Sequence, residues 1–193
     1  MKKLLLIFFC LLGLSIVKAD AQDKMYCYGV DFSYAKVFAA DETVEQFAKA
    51  FSGVNLLFIS EPDKYDMSHV FYNKSVENVI EPMLAVVTNC DYSNLKTYSS
   101  KYEQPDYSVI IKNYELPQTE GEGLILIAKL LDKPRGIAAY ELVIFDIATR
   151  EILIQREVTG KARGFGLRNY WAGSIYNVII NTSIQYDGAV EGK

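Results

Sequence analysis

Residues 123–159 read GLILIAKLLDKPRGIAAYELVIFDIATREILIQREVT, and three β-type runs lie within them. The runs span 123–131, 138–147 and 150–159. Pro134 and Gly136 punctuate the first junction, and Asp146-Ile147-Ala148-Thr149-Arg150 forms the second. The Asp146 carboxylate is placed to make an Asx turn there, which marks a tight hairpin. In the last run Ile152, Ile154 and Val158 alternate with Glu151, Gln155 and Glu157, giving one buried and one wet face. Just upstream, DYSVIIKNYE at 106–115 reads as a fourth strand of the same meander.

Working outward, KARGFG at 161–166 connects this meander to a closing helix expected over Asn169–Ser183. Its apolar stripe is Trp171, Ile175, Val178, Ile179 and Thr182. Toward the N-terminus, YCYGVDFSYAKVF at 26–38 reads as a first strand. Asp41 is placed to cap a helix whose Val44, Phe47, Ala48 and Phe51 share one face, with Gly53 as its C-cap. NLLFIS at 55–60 reads as a short strand ended by Pro62. A second helix, capped by Ser75, carries Val76, Val79, Ile80, Met83 and Val87 and is kinked by Pro82. Asp91–Pro105, DYSNLKTYSSKYEQP, is a polar loop. The expected fold is therefore α+β: one domain, residues 22–186, with a mainly antiparallel sheet (the four-strand meander plus the N-terminal strand) and helices on one face. Residues 187–193 are expected to be a flexible tail.

The N-terminus reads as a secretory signal peptide, residues 1–21. Lys2 and Lys3 precede the apolar run Leu4–Val17, and Ala19-Asp20-Ala21 offers a small-residue cleavage site. The run spans about 21 Å as a helix, short of the roughly 30 Å bilayer core. Cys10 follows Phe8 and Phe9, where lipidation needs small residues, so no lipid anchor is expected. Removing the leader leaves 17 basic against 23 acidic residues. An acidic chain of this kind lacks the basic face that nucleic acid binding needs. The mature protein is expected to be periplasmic or extracellular, with no membrane span. Two cysteines remain, Cys27 and Cys90, which either pair as a disulfide or stand as separate buried thiols.

The half from Asp106 to Tyr186, with DYSVII, the hairpin ELVIFDIATREILIQREVTG and a glycine-bearing connector before a closing helix, resembles a small α+β domain of Gram-negative envelope proteins. Examples are the periplasmic domain of the curli secretion channel and the N-terminal domain of the Tol-system propeller protein. Asp146, Thr149 and Arg150 match the strand-Asp-x-x-Thr hairpin of those domains. The resemblance implies a binding or assembly module of the cell envelope and carries over no catalytic residue.

The chemistry-bearing residues fit that class. The single histidine, His69, has no nucleophile at catalytic spacing, and no metal-ligand pattern or cofactor motif occurs. Glu120, Glu122, Glu141 and Asp146 are carboxylates for a hydrolase reading, with no cleft assigned to them. Lys161, Arg163 and Arg168 surround Gly164 and Gly166 ahead of a helix, where an anion or partner could be held. The competing reading is a mere chain reversal with Phe165 tucked into the core. Tyr92, Tyr98 and Tyr102 in the 91–105 loop mix aromatic area with polar neighbours, as recognition loops do. Asn73-Lys74-Ser75 and Asn181-Thr182-Ser183 match glycosylation acceptors, a chance occurrence behind a leader of bacterial type. The expected function is non-enzymatic binding of an envelope protein or glycan through the 91–105 and 161–168 surfaces. The alternatives are a small secreted carboxylate hydrolase and a structural subunit of a homo-oligomer.

Overall fold

The computed structural model describes residues 24–71 and 74–186; the expected signal peptide and the 187–193 tail lie outside them. One strand organises the rest. β5 (Glu122–Asp132) pairs in parallel along one edge with β1 (Met25–Asp31) and then, further along, with β2 (Lys36–Phe38). Its other edge pairs antiparallel with β6 (Ile137–Asp146), which pairs in turn with β7 (Ile152–Lys161). β3 (Val76–Asn78) lies parallel to β1, and β4 (Lys96–Thr97) lies parallel to β2.

The sheet therefore has seven strands, of which β1 to β5 run parallel. This corrects the expected α+β fold with a mainly antiparallel sheet: the fold is of α/β type, and only β5–β6–β7 form the antiparallel part. Part of the reason lies in β5. Ten of its eleven residues are buried, the near-continuous burial of a strand covered on both faces. Leu124, Leu126 and Ala128 join one core with Phe47, Phe51 and Phe58 of α1 (Val44–Ser60) and with Trp171, Ile175 and Val178 of α4 (Leu167–Asn181). Ile125 and Ile127 join a second core with Met83 of α2 (Glu81–Asn89) and with Tyr107, Ile110 and Ile111 of α3 (Tyr107–Lys112). Helices thus cover both faces, not one.

Local chemistry explains each departure. Residues 106–115 are not a strand, because the Asp106 carboxylate accepts from the backbone N–H groups of Ser108 and Val109 and starts α3. The 26–38 strand is interrupted: Asp31 turns the chain by accepting from the Ser33 N–H and hydroxyl, and it also accepts a 2.5 Å bond from the Tyr114 hydroxyl. Thr43, not Asp41, caps α1, in a reciprocal capping box with Gln46. The 55–60 segment continues α1 instead of forming a strand. There the buried Asn55 amide accepts from the Val30 N–H at 2.8 Å and donates to the Val30 carbonyl at 2.9 Å, so the helix supplies partners that β1 lacks locally. Val76 lies in β3, and Pro82 sits in the first turn of α2, where its missing N–H costs nothing, so it kinks no helix.

Among the described residues no helix is long and apolar enough to cross a membrane. β7 is a free edge carrying Arg156 and Glu157. Two copies pairing antiparallel about either residue would set like charges opposite each other, which disfavours edge-to-edge association.

A candidate binding groove along the last helix

In open α/β sheets, ligands generally sit outside the carboxyl ends of parallel strands where the connections change face. Here β2 and β5 end side by side, and that gap is closed. The Lys133 N–H donates to the Phe38 carbonyl, and the Lys133 ammonium donates to Glu42. A concavity does lie elsewhere, along the outer face of α4. It is a groove of about 450 Å³ whose walls are the segment after α1 (Glu61, Lys64, Tyr65), the end of β7, the 161–166 connector and α4 itself. A more open depression of about 610 Å³, lined by Asp63 and His69, continues it and shares Lys64, Tyr176 and Ile180.

The connector is held rigidly by close backbone approach. A Cβ on Gly160 would stand 1.9 Å from the Ser174 carbonyl oxygen, and one on Gly173 would stand 2.0 Å from that of Arg163. The Arg163 N–H donates to the Tyr170 carbonyl at 3.1 Å, and the Ala162 N–H to Gly136 at 2.8 Å. Between Gly164 and Gly166, both at positive φ, the Phe165 side chain projects into solvent with 97% of its area exposed. The reading that tucks Phe165 into the core does not hold. Tyr176 at 39% and Ile180 at 56% add apolar surface one helical turn apart on α4.

Four cations line this groove. Lys64 is engaged by Glu61 at 3.0 Å, which holds its ammonium pKa above the ordinary value, and it also sits 5.9 Å from the Tyr176 ring centre. Lys161, Arg163 and Arg168 have no carboxylate within ion-pair distance among the described residues. The Arg168 stem lies against Gly53, where a Cβ would approach its Cδ to 2.9 Å, and its Nε donates to Asn169. A glycine inside a helix costs roughly 0.5–1 kcal/mol relative to alanine; at position 53 of α1 it makes room for this arginine.

The structure thus brings together Lys161, Arg163 and Arg168 but separates them from the tyrosine loop, no residue of which lines the groove. Tyr92 is buried against Phe51, with ring centres 5.6 Å apart. The Tyr102 hydroxyl donates to the Tyr34 carbonyl at 3.1 Å, fixing the loop over the β1–β2 break. Tyr98, 88% exposed, is the one of the three that faces solvent freely. Lys64, Tyr176 and Ile180 were not evident as site residues. A signal for the last two exists: they are apolar positions four apart on the side of α4 away from the Trp171–Ile175–Ile179 stripe.

Of the carboxylates of the hydrolase reading, Glu120 is exposed in the turn before β5, and the other three have structural partners. Glu122 pairs with Lys74 at 3.0 Å and accepts from the Tyr186 hydroxyl at 2.9 Å. Glu141 and Glu157 both bind Lys129. Asp146 accepts from the Thr149 N–H at 2.7 Å, three residues on and not the two of the expected Asx turn, and so closes the hairpin. His69 is exposed, with Nδ1 4.0 Å from Asp66. No group of three or more histidine, cysteine or acidic side chains is arranged to hold a metal among the described residues.

Cys27 and Cys90 are free thiols in the structure. Cys27 lies buried in β1, where burial pushes its pKa up to about 12. Cys90 follows α2 and places its sulfur 3.8 Å from the Ser33 carbonyl, beyond the far end of β1. In protein produced from Gln22 onward and purified without reductant, Ellman's reagent is expected to label Cys90 slowly in the native state and Cys27 only after denaturation. Absence of both thiols in denaturant would show a disulfide instead.

No protein-family model, curated protein or solved structure matches the chain.

Proposed function

We propose that this protein is an exported, non-enzymatic binding module of the bacterial envelope, and that it docks a protein partner along the α4 groove. The observation that carries the reading is Phe165: a large aromatic side chain held almost wholly in water on a connector pinned by backbone contacts. Exposing it gains the fold nothing, whereas an aromatic knob on a rigid support is the anchor that protein interfaces concentrate their binding energy upon. The protruding shape favours a concave protein surface over a sugar chain, which stacks on flat aromatic platforms. The expected leader and the resemblance to envelope assembly domains support the compartment.

The test is photocrosslinking in living cells, with a benzoylphenylalanine at position 165 and another at position 98, which is also largely exposed. A discrete higher-mass adduct is expected from position 165 and none from position 98. Equal labelling from the two positions sinks the reading.

A further inference from the structure

Resting on that docking reading, we infer that the segment seated in the groove is acidic: an extended stretch of a protein partner whose carboxylates meet Lys161, Arg163 and Arg168 while an apolar side chain packs beside Phe165 and Ile180. The argument is one of charge complementarity. The chain as a whole is acidic, with 24 acidic against 20 basic residues, yet four cations line this groove against one carboxylate, Glu61, already engaged by Lys64, and the adjoining depression adds only Asp63. Three cations without carboxylate partners share this groove, where their like charges disfavour one another in the free protein. A partner bearing carboxylates relieves that repulsion and gains charge-assisted bonds, for which the two guanidinium groups offer bidentate geometry. Arg168 is already oriented, its stem against Gly53 and its Nε on Asn169, so little side-chain freedom remains to be lost on binding. The Asn169 and Asn177 side chains and the apolar wall from Tyr176 to Ile180 give an extended backbone and its side chains further contacts of the kind peptide grooves provide.

Fluorescence anisotropy on the purified protein tests this with four probes. They are a labelled dodecapeptide of glutamates around a central Leu-Ala-Leu, the same peptide with glutamine for every glutamate, a heparin fragment, and vesicles of phosphatidylglycerol. The acidic peptide is expected to bind at least tenfold more tightly than its glutamine counterpart and to weaken as salt rises. The double substitution Lys161→Glu and Arg163→Glu is expected to abolish the preference while leaving the melting temperature unchanged, and Phe165→Ala to weaken both peptides alike. Equal binding of the two peptides overturns the inference, as does binding of heparin or vesicles without the acidic peptide. If position 165 still crosslinks to a protein while the acidic peptide fails, the docking surface stands and the acidic partner falls. If both fail, the docking reading falls with it.

Discussion

Titrated from about pH 9 to about pH 12, the protein is expected to unfold abruptly: exposed tyrosines such as Tyr98 ionise first, and a later cooperative step in tyrosinate absorbance coincides with loss of helical circular dichroism. Tyr28, Tyr92, Tyr107, Tyr114, Tyr140 and Tyr186 are all buried, and burial is the largest cause raising each phenol above its ordinary value. For Tyr114 the Asp31 carboxylate that accepts its hydroxyl proton adds to the effect. The unfolded chain releases these protons near pH 10, while the native state retains them. Above that pH the unfolded form binds fewer protons, so stability falls as pH rises from the unfolded value toward the folded one. Each such group withdraws about 1.4 kcal/mol per pH unit. Several acting together reach the roughly 5–15 kcal/mol that holds a domain folded. Gradual tyrosine ionisation with helical signal intact to about pH 12 would show that these phenols reach water without unfolding.

The second large effect is expected at Lys129. Glu141 of β6 and Glu157 of β7 stand directly opposite each other in the ladder, a cross-strand pairing of like charges. Lys129, two residues along β5 from the position opposite Glu141, reaches back to bind both. Glu141 is buried, whereas the Glu157 side chain is 55% exposed. Lys129→Met leaves the buried Glu141 carboxylate uncompensated and is expected to destabilise the protein by about 3–5 kcal/mol in urea unfolding, the usual result of breaking a buried pair from one side. Adding Glu141→Gln to that variant is expected to restore most of the loss, because Glu157 is free to turn to water. An unchanged midpoint for the single variant would mean that Glu141 is solvated from elsewhere.

The same region shows what the sequence discloses and what it hides. β5, β6 and β7 were legible because each is ten or eleven residues long and their junctions carry Pro134, Gly136 and Asp146. α4 was legible from the Trp171–Ile179 stripe. β2, β3 and β4 have only two or three residues each, too few to show any period, so of the parallel strands only β1 and β5 were visible. Val109, Ile110 and Ile111 are equally good strand or helix residues, and only the Asp106 cap decides between the two. Missing α3 hid the second layer of helices and with it the fold class. At the candidate site, Lys161, Arg163 and Arg168 were visible as cations around glycines. Lys64 joins them from about a hundred residues away through the packing of α1 beside α4, which no local pattern encodes.

The position of β5 at the hub of the sheet also sets a timetable. Among the described residues β1 pairs with β3 and β5 alone, and roughly ninety residues separate its end from the start of β5. At a synthesis rate of about 5–20 residues per second, β1 waits on the order of 5–20 s for the strand that closes it into the sheet. Closing so long a loop is slow in itself, because its entropy must be lost before any contact repays it. For a chain expected to carry an export leader, that delay is an interval in which it is still slack enough to be threaded through a translocation channel.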